Sequence, residues 1–301
     1  LRAGTSSREP WKRRRVRNSQ EMGKGGKRKG GPVFILALLI FSFALGALTM
    51  FFLEGYFKKP KPPSPEKAVS KEAVPFKKPA IRVAIVIDDM GGDLKKLRSL
   101  LAFDKRITVA VLPRLRFSKA AAVEAHRMGA EVLLHLPMEP ENRMNNPGGG
   151  ALFTGMSVEE IRKTVASDIS AVPYIDGVNN HMGSRFTENE ALMRTVLGVL
   201  KENGFFFLDS RTSPHSVARR VAEELGVRYA SRDVFLDNER DRIYIRGQFK
   251  KLLAIARKRG RAIAIGHPYP ETIEVLKEVV SEEFGKNGFE LVRLSELVKS
   301  D

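Results

Sequence analysis

No cysteine occurs among the 301 residues. The fold therefore carries no disulfide, and a body of this size does not need one. Charge is missing from residues 32–53, "PVFILALLIFSFALGALTMFFL", over 22 consecutive positions. As a helix, that run is about 33 Å long, enough to cross the hydrocarbon core of a bilayer. A cleaved signal peptide is the alternative, but the run is too long for one and no clear small-x-small cleavage site follows it. The sequence favours an uncleaved signal anchor. Also missing is a Gly-x-Gly-x-x-Gly after the first apolar strand, which argues against a dinucleotide-binding sheet.

The net charge of +17 is unevenly placed. Residues 1–31 hold eleven Lys/Arg against Glu9 and Glu21, and residues 54–80 hold seven Lys against three Glu. The body from 81 to 301 is only mildly basic, so the excess gives no reason to expect a nucleic-acid partner. The positive-inside rule keeps the basic tail 1–31 cytoplasmic and sends the C-terminal body to the periplasmic or extracellular side of the membrane. Met22 opens an ordinary short basic flank, so residues 1–21 are expected to be a start-site artefact. Residues 54–80 are rich in Pro and Lys and read as an extended linker.

From Ile81 onward, short apolar runs alternate with helical patterns. The runs are "RVAIVI" (82–87), "ITVAVL" (107–112), "EVLL" (131–134), "GVNN" (177–180), "FFFL" (205–208), "DVFL" (233–236) and "AIAI" (262–265). They are continuous rather than alternating, as in parallel strands covered on both faces. Between them, Ser157 with Glu160 and Thr187 with Glu190 have the spacing of capping boxes. Gly129, Gly204, Gly226, Gly260 and Gly288 stand where helices would end. Seven strand–helix units predict a distorted (β/α) barrel of about seven parallel strands, with an open doubly wound sheet as the alternative.

Chemistry in such folds sits at the C-terminal ends of strands. There the chain places Asp88 and Asp89, then His135 and Glu139, then Asn180, His181 and Arg185. Asp209 and Arg211 follow the fifth run, Asp237 the sixth, and His267 with Tyr269 the seventh. Three of the five histidines thus share one inferred face, while His126 and His215 read as helix or loop residues. Two adjacent carboxylates repel unless a cation or proton separates their roles. One Asp with two His is a ligand set for zinc or a similar divalent metal, and the other Asp could accept a proton from water.

Taken in order, "VIDDMG", "LLHLPMEP", "NNHMGSR", "FLDSRT", "VFLDN", "AIGHPYP" and "GFELVRLSEL" resemble the divergent polysaccharide deacetylase family from about Arg82 to Val298. The resemblance implies a distorted barrel and a metal-dependent carbohydrate esterase that removes acetyl groups from an envelope polysaccharide. It implies Asp88 as catalytic base, Asp89 as metal ligand and His267 as general acid. In the wider superfamily the second motif is His-x-x-x-His. Here it reads His135-Leu-Pro-Met-Glu139, which makes His135 a ligand and leaves a place that His181 is expected to take, with Glu139 as the competing candidate. Glu139, Arg185, Asp209, Arg211 and Tyr269 are expected to bind substrate or support the ligands. A buried structural ion pair is the other reading of Arg185 and Asp209; Tyr269 and Phe186 could stack on a sugar face, with ordinary packing as their other reading.

The altered motif keeps a second function open, a weakly active or inactive glycan- or protein-binding module on the same fold. A tethered structural protein that uses its basic N-terminus is a third. The expected organisation is a tail (1–31), an anchor (32–53), a linker (54–80) and a deacetylase-like domain (81–301).

Overall fold

The computed structural model describes residues 32–57, 80–285 and 287–298. The basic tail 1–31 and nearly all of the linker 54–80 lie outside them. The chain divides into two units, Leu1–Val74 and Pro75–Asp301.

In the first unit, Pro32–Phe57 forms a 26-residue helix, α1, whose Leu36, Phe41, Phe43 and Phe51 are exposed. The side chains described along it run unbroken only from Leu39 to Phe51. Among the described residues, no helix is long and apolar enough to cross a membrane. The span expected over 32–53 therefore rests on the sequence.

The second unit is one parallel sheet with helices outside it. Its strands are β1 (Ile81–Met90), β2 (Thr108–Val111), β3 (Val132–Met138), β4 (Gly177–Met182), β5 (Phe206–Asp209), β6 (Tyr229–Ser231), β7 (Val234–Phe235), β8 (Arg261–Gly266) and β9 (Phe289–Leu291). The helices are α2 (Leu94–Phe103), α3 (Ser118–Arg127), α4 (Val158–Ala171), α5 (Glu190–Glu202), α6 (Ala218–Leu225), α7 (Arg242–Arg259) and α8 (Pro270–Glu283). The order across the sheet is β6-β5-β4-β3-β2-β1-β8-β7, with β9 added to the start of β1. β6 and β7 stand at opposite ends of that order, yet only Arg232 and Asp233 separate them. Three Cα steps span at most about 11 Å, so the sheet must curl until its edges approach. The result is an incomplete barrel.

Burial follows the pleat. Val83, Ile85 and Ile87 of β1 pack outward with α2, α7 and their neighbours, while Ala84 and Val86 join an inner cluster with Ala110, Leu133, Phe206, Leu208 and Ile265. Both faces are covered, which is why the strands read as unbroken apolar runs. Leu294 and Leu297 of the C-terminal segment enter the inner cluster beside the N-terminal half of the strands. The buried Glu131 pins that segment by accepting from the Ser295 amide and from Thr108 Oγ1.

Two local expectations meet different outcomes. Ser157 and Glu160 form a reciprocal cap at the start of α4. Thr187 and Glu190 do not. Asn189 caps α5 instead, and Thr187 Oγ1 donates back to the Gly183 carbonyl inside a short 3-10 turn, Phe186–Glu188.

Candidate active site

The pleat also aims the chemistry. Asp88 continues the inward series of Ala84 and Val86, and His135 continues that of Leu133. Asn179 and His181 share the inward parity of Gly177, because Val178 between them packs outward. Asp89 would point outward on a regular strand. It does not, because β1 gains one residue against β2 between Ile87 and Met90, and Asp89 takes a φ of 56°. Such a bulge re-aims a side chain. Met182 (φ 53°) and Arg211 (φ 52°) at neighbouring strand ends share this left-handed strain, which concentrates at functional sites.

Three acceptor atoms converge. Asp89 Oδ1 lies 3.3 Å from His135 Nε2 and 3.2 Å from His181 Nδ1, and those nitrogens are 3.1 Å apart. Ligands around a tetrahedral divalent ion with bonds of ~2.0–2.2 Å stand ~3.3–3.6 Å from one another. Asp89 Oδ1 is buried and has no hydrogen-bond partner. A buried acceptor left without a donor calls for an ion.

Asn179 decides which His135 nitrogen carries the proton. Its Nδ2 donates to Asp88 Oδ1 at 2.9 Å, so its Oδ1 is the atom 3.0 Å from His135 Nδ1. Nδ1 must then be the N–H, leaving the lone pair of Nε2 turned toward Asp89 and His181. On the other side, the fully buried Asp237 side chain accepts from His267 Nδ1 (2.9 Å), the His267 amide (2.6 Å) and Thr272 Oγ1 (2.7 Å). His267 Nε2 is left facing the site, 3.7 Å from Asp89 Oδ2.

The family described as divergent polysaccharide deacetylase matches residues 85–298. The chain belongs to this family. The chain is 41% identical over 196 residues to an uncharacterized protein of Haemophilus influenzae, covering 65% of this chain and 70% of that one. It is also 41% identical over 199 residues to the uncharacterized protein YibQ of Escherichia coli, covering 66% of this chain and 62% of YibQ, a little under two thirds. Among solved structures, the uncharacterized protein ATU2773 of Agrobacterium tumefaciens superposes with a TM-score of 0.69 at 27% identity, over 73% of this chain and 89% of that one.

Glu139 stands where the expected His-x-x-x-His pattern would set its second histidine. The geometry places His181, not Glu139, beside Asp89 and His135. Glu139 lies one residue past β3, accepts from the Thr154 amide at 2.6 Å and meets Arg185 Nε at 3.5 Å. Arg185 is therefore tied to Glu139. Asp209 and Arg211 do not pair through their side chains. Asp209 follows the outward-facing Phe207 and accepts from the Arg211 amide, Ser216 Oγ and Tyr229 OH. Tyr269 stands at the start of α8, 5.3 Å from the His267 ring and beneath the Arg240 guanidinium at 3.7 Å. Phe186 is wholly buried and packs in the core. The sequence reading named no role for Asn179 and left Asp237 without one. The inward parity shared with His181 was the available signal for the first.

The electrostatics separate the paired acids. Burial raises the Asp88 carboxyl above the usual carboxylate range, and the nearby His135 and His267 only partly offset it. Burial pushes Asp89 the same way, but His135 and His181, whenever their rings carry a proton toward it, prevail and hold it well below that range. His267 is pulled down by burial and raised more by Asp237 and the charge of Asp88, so its pKa ends above the ordinary imidazole value. The two neighbouring acids are thus shifted in opposite directions. A cavity of about 180 Å³ lined by Asp89, Gly92, Lys96 and Pro268 adjoins them.

Proposed function

We propose that the body is a metal-dependent hydrolase that removes acetyl groups from an envelope polysaccharide. The observation that carries this reading is the convergence of Asp89 Oδ1, His135 Nε2 and His181 Nδ1 beside a buried acid and a tethered histidine. Those three atoms would hold the ion, with zinc as the first choice for an Asp/His set. When bound, it supplies Lewis-acid activation of water and of the acetyl carbonyl.

The remaining work belongs to the chain. Asp88 Oδ1 is engaged by Asn179, and Oδ2, 3.5 Å from His135 Nε2, is left to take the proton of the attacking water. Its raised pKa suits a base that must hold that proton. His267, oriented by Asp237 and with its pKa raised above the ordinary imidazole value, gives its proton to the departing amine or alcohol. Tyr269 and Arg240 form one wall for the sugar.

The same proposal places the body outside the cytoplasm, tethered by α1 with the basic tail inside. Resistance of the full chain to alkaline carbonate extraction tests the tether, and release into the soluble fraction would remove it.

For the chemistry, acetate release from acetylated envelope glycan is measured with the metal-loaded full chain. Asp88→Asn is expected to keep the metal and lose release by at least about 100-fold. Bound metal with no acetate from any envelope polymer would turn the reading to a glycan-binding module.

A further inference from the structure

Arg211 and Arg232, just past β5 and β6, form no ion pair with a described carboxylate. Arg232 lies on the two-residue link between β6 and β7, where the sheet edges approach. Its Nε donates to the Ser210 carbonyl at 2.7 Å and its Nη2 to the Arg211 carbonyl at 3.1 Å. Its guanidinium lies over the Phe235 ring at 4.9 Å, and Phe235 meets His267 edge-on at 5.3 Å. Arg232 is thus fixed one ring away from His267. Holding the seam uses two of the five N–H groups on the fork. Among the described residues, no carboxylate comes within ion-pair distance of the rest.

Arg211 stands beside it. Its backbone is held at a φ of 52°, its side chain is exposed, and no described carboxylate pairs with it. It lines a cavity of about 170 Å³ with Ser213, Ser216, Arg219 and Tyr229. Asp209 is the carboxylate on that wall, and it is already bonded to the Arg211 amide, Ser216 and Tyr229. Burial and then the charge of Arg211 lower the Arg232 pKa, and the charges of Asp209, Asp88 and Asp233 offset them only in part. Two like charges held together near a catalytic carboxylate are unfavourable until an anion joins them. A planar fork is suited to carboxylate or phosphate oxygens.

We propose that Arg211 and Arg232 bind a negatively charged substituent, carboxylate or phosphate, on the acetylated sugar or its neighbour, so that the substrate is an anionic acetylated glycan. This rests on the hydrolase reading of the same mouth. The two sources of charge share the same recognition chemistry, and the experiment separates them.

Three probes are compared with the metal-loaded full chain: an N-acetylglucosamine tetramer, its C6-carboxylate form and its C6-phosphate form. Acetate release gives kcat/KM, and calorimetry on Asp88→Asn gives Kd. At least one charged tetramer is expected to be preferred about ten-fold or more in both, the better one naming the substituent. The preference is expected to collapse in Arg211→Gln and in Arg232→Lys, with melting temperature checking that the second variant folds. Equal kcat/KM and Kd for all three probes overturns the proposal and leaves the hydrolase reading intact. A preference undiminished in both variants also overturns it. Selective binding of a charged tetramer without acetate release keeps the arginine site and ends the hydrolase reading. No binding and no release from any probe ends both.

Discussion

Asn179 donates to Asp88 Oδ1 at 2.9 Å from a side chain with no exposed surface. The same amide faces His135 Nδ1 through its oxygen at 3.0 Å, so one residue sets the orientation of the proposed base and the tautomer of a proposed ligand. The two duties separate by substitution. Asn179→Asp keeps an acceptor for His135 Nδ1 but faces Asp88 with a second carboxylate. We expect metal affinity within about three-fold of wild type and acetate release down by about 100-fold or more. Asn179→Leu removes both contacts and is expected to weaken metal binding by about 10–100-fold. Equal metal loss in the two variants would show that Asn179 acts through packing alone.

His181 and Glu139 are rivals for one proposed ligand place, and their partners differ. His181 Nδ1 is 3.1 Å from His135 Nε2, whereas Glu139 is bonded to the Thr154 amide. His181→Ala is expected to abolish stoichiometric metal in the purified full chain, and Glu139→Ala to retain it. Elemental analysis after dialysis reads the result. Metal retained by His181→Ala and lost by Glu139→Ala would reverse the assignment.

Much of this was legible because side-chain chemistry collects at strand ends. The seven apolar runs mark β1 to β5, β7 and β8 in place, and Asp88, Asp89, His135, His181 and His267 after them meet at one mouth. β6 and β9 escaped because each has three residues and no apolar run of its own. Facing was the harder problem. Asp209 and Asp237 both read as strand-end acids, but Asp209 has the outward parity of Phe207, while Asp237 has the parity of Phe235, which packs on the inner cluster. In strands covered on both sides, the sequence does not alternate, so parity is visible only after burial is known. Asn179 shows the converse: beside Asn180 it looks like a repeat, and only the pleat assigns it to the face of His181.

Gly177 opens β4 two residues before Asn179. A Cβ there would lie 2.5 Å from the Phe206 ring, which fills the inner face at that level. Gly177→Ala is expected to cost about 1–3 kcal/mol of unfolding free energy. Phe206→Leu in the same chain should recover part of that loss, because the two positions share one volume. Urea denaturation of the four chains gives the coupling. Strict additivity would mean that the backbone shifts instead of the ring.

Asp168 on α4 has a fully buried side chain that meets Arg114 Nε through Oδ1 at 2.9 Å, while Oδ2 has no partner. Gly150 packs so closely that a Cβ would lie 2.5 Å from both oxygens. Burial raises the carboxyl from 3.8 to about 6, and Arg114 only moderates the rise. A folded-state pKa above the unfolded value means that the folded chain holds the proton more tightly. The stabilisation from this group is therefore complete below pH 3.8 and is lost as pH rises through about 6. At 1.36 kcal/mol per pKa unit the swing is at most ~3 kcal/mol. Asp168→Asn removes the titration, and Arg114, being partly exposed, is left solvated. The unfolding free energy of wild type minus that of Asp168→Asn is expected to fall between pH 4 and pH 7, read from urea curves at each pH. Other carboxylates titrate in both chains and cancel in the difference. Parallel curves across that window would mean that the carboxylate is already ionised at pH 4, with Arg114 outweighing burial.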